Sequence, residues 1–485
     1  MKINLHSMSV QAKAILSLLM FILFTGASLA AQTDSPSELL EKGIYSEETK
    51  GDLDSAMALY QQVLTQGKNT QALAAQAQYR LGVCQYKKRN YTEATAAFTA
   101  VTKDYPDQKD LVALAREYLA RNNDLLPAPW ADGEEERFDV KLAGGLKIGL
   151  GVWTADAGLT NGQKIWRVGR LMMAGGGAQF SKVEVDADTM KPIHSRWKHT
   201  LLSDADATYL PGHADVKVAG KDEVKNIPLS DLVYDNEEEF HLFRRLPLAP
   251  GYKATVNNCS SLAGGEVLPL PLEVIGTETV TVPAGTYPCY KLNLHIGQVF
   301  WMSTNLPHEV VKFEGGGVIA ELTGVRRRNP ADAVKYADPA GFSFTAPAGW
   351  LVGCLSHENN STKVALLDPE MIGTMVLDWS ALDSIEPKSA TNSARALLEK
   401  ENADGARTYK NYVVRPDSWQ EHPVAGLPAA SSVADYAGDD KPRVGYGVTV
   451  MAGDHAAAFQ FLMPAADFEA MRPRLDAILD TFKVK

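Results

Sequence analysis

The sequence predicts a multidomain α+β chain: short α-helical hairpins first, an antiparallel β domain second, an α/β domain last. Three observations predict it. Apolar residues recur at helical spacing, between capping residues, up to about residue 121. Short alternating runs broken by glycine-rich turns take over from about residue 137. After residue 340, strand patterns share the chain with two helical ones. A length of 485 residues accommodates such a plan at roughly 150 residues per domain.

The N-terminus fixes the expected compartment. Lys2 and Lys13 precede the apolar run Ala14 to Phe24, and Gly26-Ala27-Ser28-Leu29-Ala30 follows. Charge, apolar stretch and small residues in that order read as a secretory signal peptide over 1–30, cleaved after Ala30. The alternative, an uncleaved anchor, needs roughly 20 apolar residues, and this run is shorter. Export to a periplasmic or extracellular compartment is therefore expected. The formal net charge is −11, and losing Lys2 and Lys13 makes it more negative. That excludes a nucleic-acid binder that works by phosphate neutralisation. Four cysteines in a chain of this length are too few for a disulfide scaffold.

Residues 35–121 read as helices. Ser35-Pro36-Ser37-Glu38 is a helix start with a capping box and Pro at the first helical position. Asp52 and Asn90 are candidate caps, and Asn90-Tyr91-Thr92-Glu93 also has capping-box spacing. Gly51-Asp52-Leu53, Ala56 and Tyr60 align with Arg89-Asn90-Tyr91, Ala94 and Phe98 at a fixed offset. With Leu81-Gly82 and Pro106, the second copy resembles a tetratricopeptide repeat, so the segment resembles two such repeats and a trailing helix over 109–121. A helical hairpin of another kind is the alternative. The resemblance implies that the repeats dock a protein.

Asn122 to Trp130, with two prolines, and the acidic Glu134-Glu135-Glu136 mark a linker over 122–136. The antiparallel β domain is expected over 137–328. Val183 and Val185 alternate with Lys182 and Glu184, Asp186 to Pro192 turns, and Ile193 to Trp197 returns. Glu278 to Val282, the turn Pro283-Ala284-Gly285-Thr286 and Tyr287 to Leu294 form another pair. The segments Val185 to Pro192, Phe243-Arg244-Arg245-Leu246-Pro247-Leu248 and Gly276 to Cys289 resemble a bacterial secreted domain family of unknown function. That family is similar in shape to periplasmic lipoprotein carriers, which implies an open barrel with an apolar lining.

Residues 329–339 read as a second linker, and 340–485 as the last domain. Phe342 and Phe344 alternate before Pro347-Ala348-Gly349-Trp350 turns the chain. A helix is expected over 393–402, strands over 444–451 and 456–463, and an amphipathic helix at the end. Phe468, Met471, Leu475, Ile478, Leu479 and Phe482 form its apolar face, and Pro473 inside it predicts a kink or a later start. The opening and closing patterns resemble the PsbP/Mog1-type α/β/α sandwich, which implies a binding or assembly role.

No set of residues converges on a chemistry. His194 and His199 sit five apart on one expected strand and so face opposite ways. His308-Glu309-Val310-Val311 opens like a zinc-protease helix, but Lys312 stands where the second His is required. His241 beside Glu237-Glu238-Glu239 reads as a solvated loop or sheet edge, and Arg326-Arg327-Arg328 as a solvated end. Cys84, Cys259, Cys289 and Cys354 are scattered, Cys84 in a packed helix. Cys259 and Cys289 fall on strands of one domain, so both a disulfide and two free thiols fit. Gly175 to Gly177 and Gly315 to Gly317 read as hairpin turns.

The expected function is that of a non-enzymatic, exported binding or assembly protein of the bacterial cell envelope, with no catalytic, metal or cofactor residue. One alternative is a carrier or sensor of a lipid or other apolar ligand in the middle domain, with Trp197, Phe243, Phe300 and Trp301 as the groove. An undetected hydrolase is the other. N-terminal sequencing of the exported protein is expected to begin at Ala31 or within a residue or two of it; a membrane-retained form that keeps Met1 to Phe24 overturns the export reading.

Overall fold

The structure is a computed structural model. It describes residues 34–66, 70–88, 90–119, 125–174, 177–199, 204–229, 233–260, 266–329, 331–358, 360–369, 372–384, 393–438 and 441–485. The expected signal peptide lies outside these residues. Two compact units divide the chain, 1–116 and 117–485, and each is described by itself.

The first unit is helical: α1 (Pro36–Ile44), a π-helical turn (Tyr45–Lys50), α2 (Leu53–Gln66), α3 (Gln71–Lys87), α4 (Tyr91–Asp104) and α5 (Lys109–Glu117). Ser35 caps α1 with the expected box, its Oγ 3.3 Å from the Glu38 N–H and its own N–H donating to Glu38 at 2.8 Å. Asp52 accepts from the Ser55 N–H. Asn90 departs from expectation: its side chain makes no cap and donates instead to Gln85 at 2.9 Å.

Each helix pair is held by the same lock. A Cβ on Gly82 would sit 2.7 Å from the Phe98 ring, and one on Gly43 would sit 2.5 Å from the Tyr60 ring. The aromatic of each second helix therefore lies directly on a glycine of the first, and Ala56 and Ala94 are buried in the same pairs. The sequence spacing from Gly43 to Tyr60 is one residue longer than that from Gly82 to Phe98. The π-helical turn absorbs that extra residue, which explains why the first repeat matches its pattern less well.

The second unit begins with one open sheet of 15 strands. Its first eight strands are β1 (Glu134–Leu142), β2 (Lys147–Thr160), β3 (Gln163–Ala174), β4 (Gly177–Asp186), β5 (Pro192–His199), β6 (Ala205–Leu210), β7 (His213–Val218) and β8 (Val224–Pro228). Then come β9 (Val233–Asp235), the short helix α6 (Glu239–Arg244), β10 (Lys253–Ser260), β11 (Glu266–Val282), β12 (Gly285–Asn293), β13 (Val299–Ser303), β14 (Val310–Gly315) and β15 (Val318–Arg327). The sheet meanders from β1 out to β8 on one wing and from β15 out to β9 on the other, and the wings join where β1 pairs with β15. Only the β9–β10 ladder is parallel among these pairings. The sheet is open, as expected, and does not close into a barrel. The wings curl together: the Tyr209 hydroxyl on β6 donates to Asp235 on β9 at 2.6 Å.

The expected linker over 122–136 is corrected. Trp130 is buried, the Leu126 N–H donates to the Arg245 carbonyl at 2.6 Å, and Glu134 to Glu136 are the first residues of β1. The acidic residues read as marking a linker are here paired with arginines, Glu134 and Glu136 with the buried Arg244.

The last domain has a sheet in the order β18-β19-β20-β25-β24-β23-β21. These are β18 (Leu351–Glu358), β19 (Ser361–Leu367), β20 (Thr374–Ala381), β21 (Lys410–Val414), β23 (Ala429–Gly438), β24 (Lys441–Ala452) and β25 (His455–Pro464); β22 (Gln420–Glu421) pairs with β23. A small sheet of β16 (Val334–Ala337), β17 (Phe342–Ala346) and β26 (Lys483–Val484) joins helix α8 (Phe468–Leu479) over one face. Helix α7 (Ala394–Thr408) packs on β23 and β24 through the opposite face. Helix α8 starts at Phe468 and continues through Pro473, with the expected apolar face fully buried. The outward Ala365 and Leu367 of β19 pack on Leu150, Val152, Leu171 and Phe180 of the large sheet.

The lock predicts a stability effect. Gly82→Ala and Ala94→Leu are each expected to destabilise the helical unit by roughly 1–3 kcal/mol through overpacking, read as a lower denaturant midpoint at unchanged slope.

Candidate functional site

The middle domain was expected to offer an apolar groove. The segment Asp235 to Leu248 fills that space. Phe240, Leu242, Phe243, Leu246 and Leu248 enter one core with Trp153, Phe300, Trp301 and Phe313. Phe243 and Phe300 are 0 % exposed and lie edge to face at 5.2 Å. Trp301 is buried, with Lys312 Nζ 4.4 Å from its ring centre. Trp197 is equally buried and stacks on His199 at 5.5 Å. The structure brings Phe243, Phe300 and Trp301 together as packed core and buries Trp197 apart from them, so none of the four lines an open groove.

The same segment corrects the reading of Glu237-Glu238-Glu239 and His241 as solvated. All four are buried, along with Asp235, Arg244 and Arg245. The polar residues are interleaved with Phe240, Leu242 and Phe243, which enter the core, and the arginines are drawn in with partners. Arg170 donates to Glu237 at 2.6 Å, and Arg244 reaches Glu134 at 2.7 Å and Glu136 at 3.5 Å. Arg245 donates to the carbonyls of Leu126, Ala187 and Asp188. Two of the segments that carried the sequence resemblance thus meet in space. Burial pushes the Glu136 carboxyl up to about 7 and Glu239 to about 8, and drives the His241 imidazole well below its ordinary value. Arg326 and Arg328 are not a free end either: both reach the buried Glu135, and Arg328 also reaches Asp156 at 2.5 Å. Cys259 and Cys289 are buried free thiols. His308 lies in a loop, Nδ1 2.7 Å from the Ser303 carbonyl, and Lys312 is on β14.

The helical unit contains a polar hub of its own. Glu47, on the π-helical turn, is buried and accepts from Tyr60 (2.7 Å), Arg80 (3.0 Å) and Lys87 (2.7 Å). Burial alone would raise its carboxyl; the hydrogen bonds from Lys87, Tyr60 and Arg80 outweigh it and hold it below the ordinary value. The hub ties the first repeat to α3, and with the two glycine locks it fixes how the helices are presented.

A cavity of about 420 Å³ lies in the last domain, between α7 and the strands that α7 leaves uncovered; Lys363, Asp378, Glu401, Tyr412 and Gln460 are among its lining residues. Glu401 accepts from Gln460 at 2.6 Å and from Thr449 at 3.3 Å. Burial raises its carboxyl to about 7 against those two hydrogen bonds. A carboxyl of that kind takes or gives a proton near neutrality. The sequence carried a signal for it: Ala394, Leu397, Leu398, Glu401 and Gly405 fall at helical spacing on one face, so Glu401 occupies a core position.

Residues 137–342 match the family described as a protein of unknown function, DUF3108. Residues 76–107 match the family described as tetratricopeptide repeat. No curated protein matches the chain. Among solved structures, cyanobacterial PsbP (CyanoP) from Synechocystis sp. PCC 6803 is similar at 14% identity, covering 32% of this chain and 95% of its own, with a TM-score of 0.26. The Ran-binding protein Mog1p of Saccharomyces cerevisiae is similar at 7% identity, covering 32% and 96%, with a TM-score of 0.23. LpqN of Mycobacterium tuberculosis, involved in cell envelope biogenesis, is similar at 13% identity, covering 32% and 90%, with a TM-score of 0.23. Similarity this low carries no argument for what this chain does.

Between the ordinary carboxyl value of 4.5 and about 7, the folded protein keeps on Glu401 a proton that the unfolded chain has released. This group therefore lowers stability as pH rises through that window. Glu401→Gln is expected to melt close to the wild type at the acid end and above it at the alkaline end, read by thermal unfolding across the window.

Proposed function

We propose that the chain is a non-enzymatic, exported binding or assembly protein of the bacterial cell envelope, whose helical repeats dock a protein partner. The observation that carries this reading is the repeated glycine–aromatic lock, Gly43 on Tyr60 and Gly82 on Phe98, in a segment that matches a tetratricopeptide repeat. Such repeats act by presenting helix faces at a fixed angle. The partly exposed Val83 and Tyr86 on α3 offer apolar area beside the locks. The N-terminal order of charge, apolar run and small residues supports export. In the middle domain Arg170 and Arg244 are committed to Glu237 and Glu134 within the core.

Photo-crosslinking from Val83 of the full chain, in its cell of origin, tests the proposal. The expected result is a discrete protein adduct that is lost in the Gly82→Leu variant while the rest of the chain stays folded. A pattern indistinguishable from that of a probe on strand β7 of the large sheet would overturn it.

A further inference from the structure

The small sheet and the first strand of the last domain bring three different metal-binding side chains together. Asp338, in the turn after β16, and Cys354 and His357, on β18, each place a ligand atom within 4.8 Å of the other two. In a regular strand Cys354 and His357, three residues apart, would face opposite sides. A β-bulge prevents this: Cys354 pairs with Val364, Ser356 with Lys363 and His357 with Thr362, so Leu355 is the extra residue. Val364 points into the core beneath the small sheet. The bulge therefore turns both Cys354 and His357 to that side, where Asp338 lies.

The supporting groups are in place. Tyr336 donates its hydroxyl to Asp338 Oδ2 at 2.6 Å, and the Ala340 N–H donates to Oδ1 at 2.9 Å. Each carboxylate oxygen keeps a lone pair beyond those bonds. The Thr362 hydroxyl lies 3.0 Å from His357 Nδ1 and fixes the ring. Hydrogen bonds of this kind orient the ligands of metal sites. Asp338 is buried and His357 exposed, so a cation has a path in from solvent.

We propose that Asp338, Cys354 and His357 bind one zinc ion. A thiolate, an imidazole and a carboxylate suit zinc, which takes sulfur, nitrogen and oxygen donors in a tetrahedron with bonds of roughly 2.0–2.3 Å. The edges of such a tetrahedron are roughly 3.3–3.8 Å, so a small inward movement of the three side chains closes the site. Three protein ligands leave the fourth position to water on the open side of His357. Binding releases the thiol proton to solvent as the sulfur–zinc bond forms. The ion would staple the turn between β16 and β17 to β18, next to the place where Arg137 Nη1 of β1 donates to the Val352 carbonyl at 2.8 Å.

Cobalt(II) and zinc titrations of the full chain, prepared free of metal, test the proposal. The expected results are a thiolate-to-cobalt charge-transfer band at one equivalent, its displacement by zinc, and a rise in melting temperature with zinc. Cys354→Ser is expected to abolish the band, and His357→Gln to weaken zinc at least tenfold. His357→Gln alters an exposed side chain and covers the case in which the cysteine variant fails to fold. Overturning results are the lack of a thiolate band in the wild type, a band that survives Cys354→Ser and so arises from another cysteine, or zinc affinity unchanged by His357→Gln.

Discussion

The middle domain depends on the pairing of Arg244 with Glu134 and Glu136. The large sheet has two wings, and the space inside their curl has to be filled. The chain fills it with one short segment that carries aromatic residues and charges together. Placing an arginine there leaves a carboxylate as its fitting neighbour, because an unpaired buried charge costs several kcal/mol. Glu134 and Glu136 supply it from the first strand, two residues apart and so on the same side of β1. Arg170–Glu237 repeats the arrangement from β3. These pairs are not obviously stabilising against an apolar core of the same shape. They do fix one seating of the segment, since a shift of one residue would strand several charges at once.

Much of the architecture was legible in the sequence, because periodicity and turn chemistry report local structure. The capping box at Ser35, the Ala56/Ala94 repeat, the 183–197 hairpin and the Phe468 to Phe482 face all follow from spacing alone. What stayed hidden is tertiary in origin. Glu134-Glu135-Glu136 reads as part of a linker until Arg244, Arg326 and Arg328, distant in the chain, are seen to meet it. The run from Glu237 to His241 looks polar although Phe240, Leu242 and Phe243 interleave with it, and the aromatic residues decided its place. The expected groove belongs to the same misreading: nothing near Phe300 and Trp301 in sequence announces that the remote segment carrying Phe243 occupies the space. Cys354 and His357 look unrelated because strand parity separates them, and a single bulged residue removes that separation.

The helical unit shows how a weak match can arise from a small local cause. One extra residue in the first repeat is housed as a π-helical turn, so the Gly43–Tyr60 contact is kept at the expense of the spacing. That turn also places Glu47 where Tyr60, Arg80 and Lys87 reach it. The insertion and the polar hub are two aspects of one change in backbone winding.

The pairing of β1 with β15 has a consequence for how the domain is built. Glu134 lies opposite Arg327, so the first strand made waits for the last before its second edge is covered. A chain that emerges from its N-terminus holds a growing, one-sided ribbon until then, and contacts of such long sequence separation form slowly. Truncation anywhere before the final hairpin leaves that ribbon open along its middle rather than at its rim. Fragments of this domain are therefore candidates for edge-to-edge association, whereas the whole domain closes the gap with its own last strand.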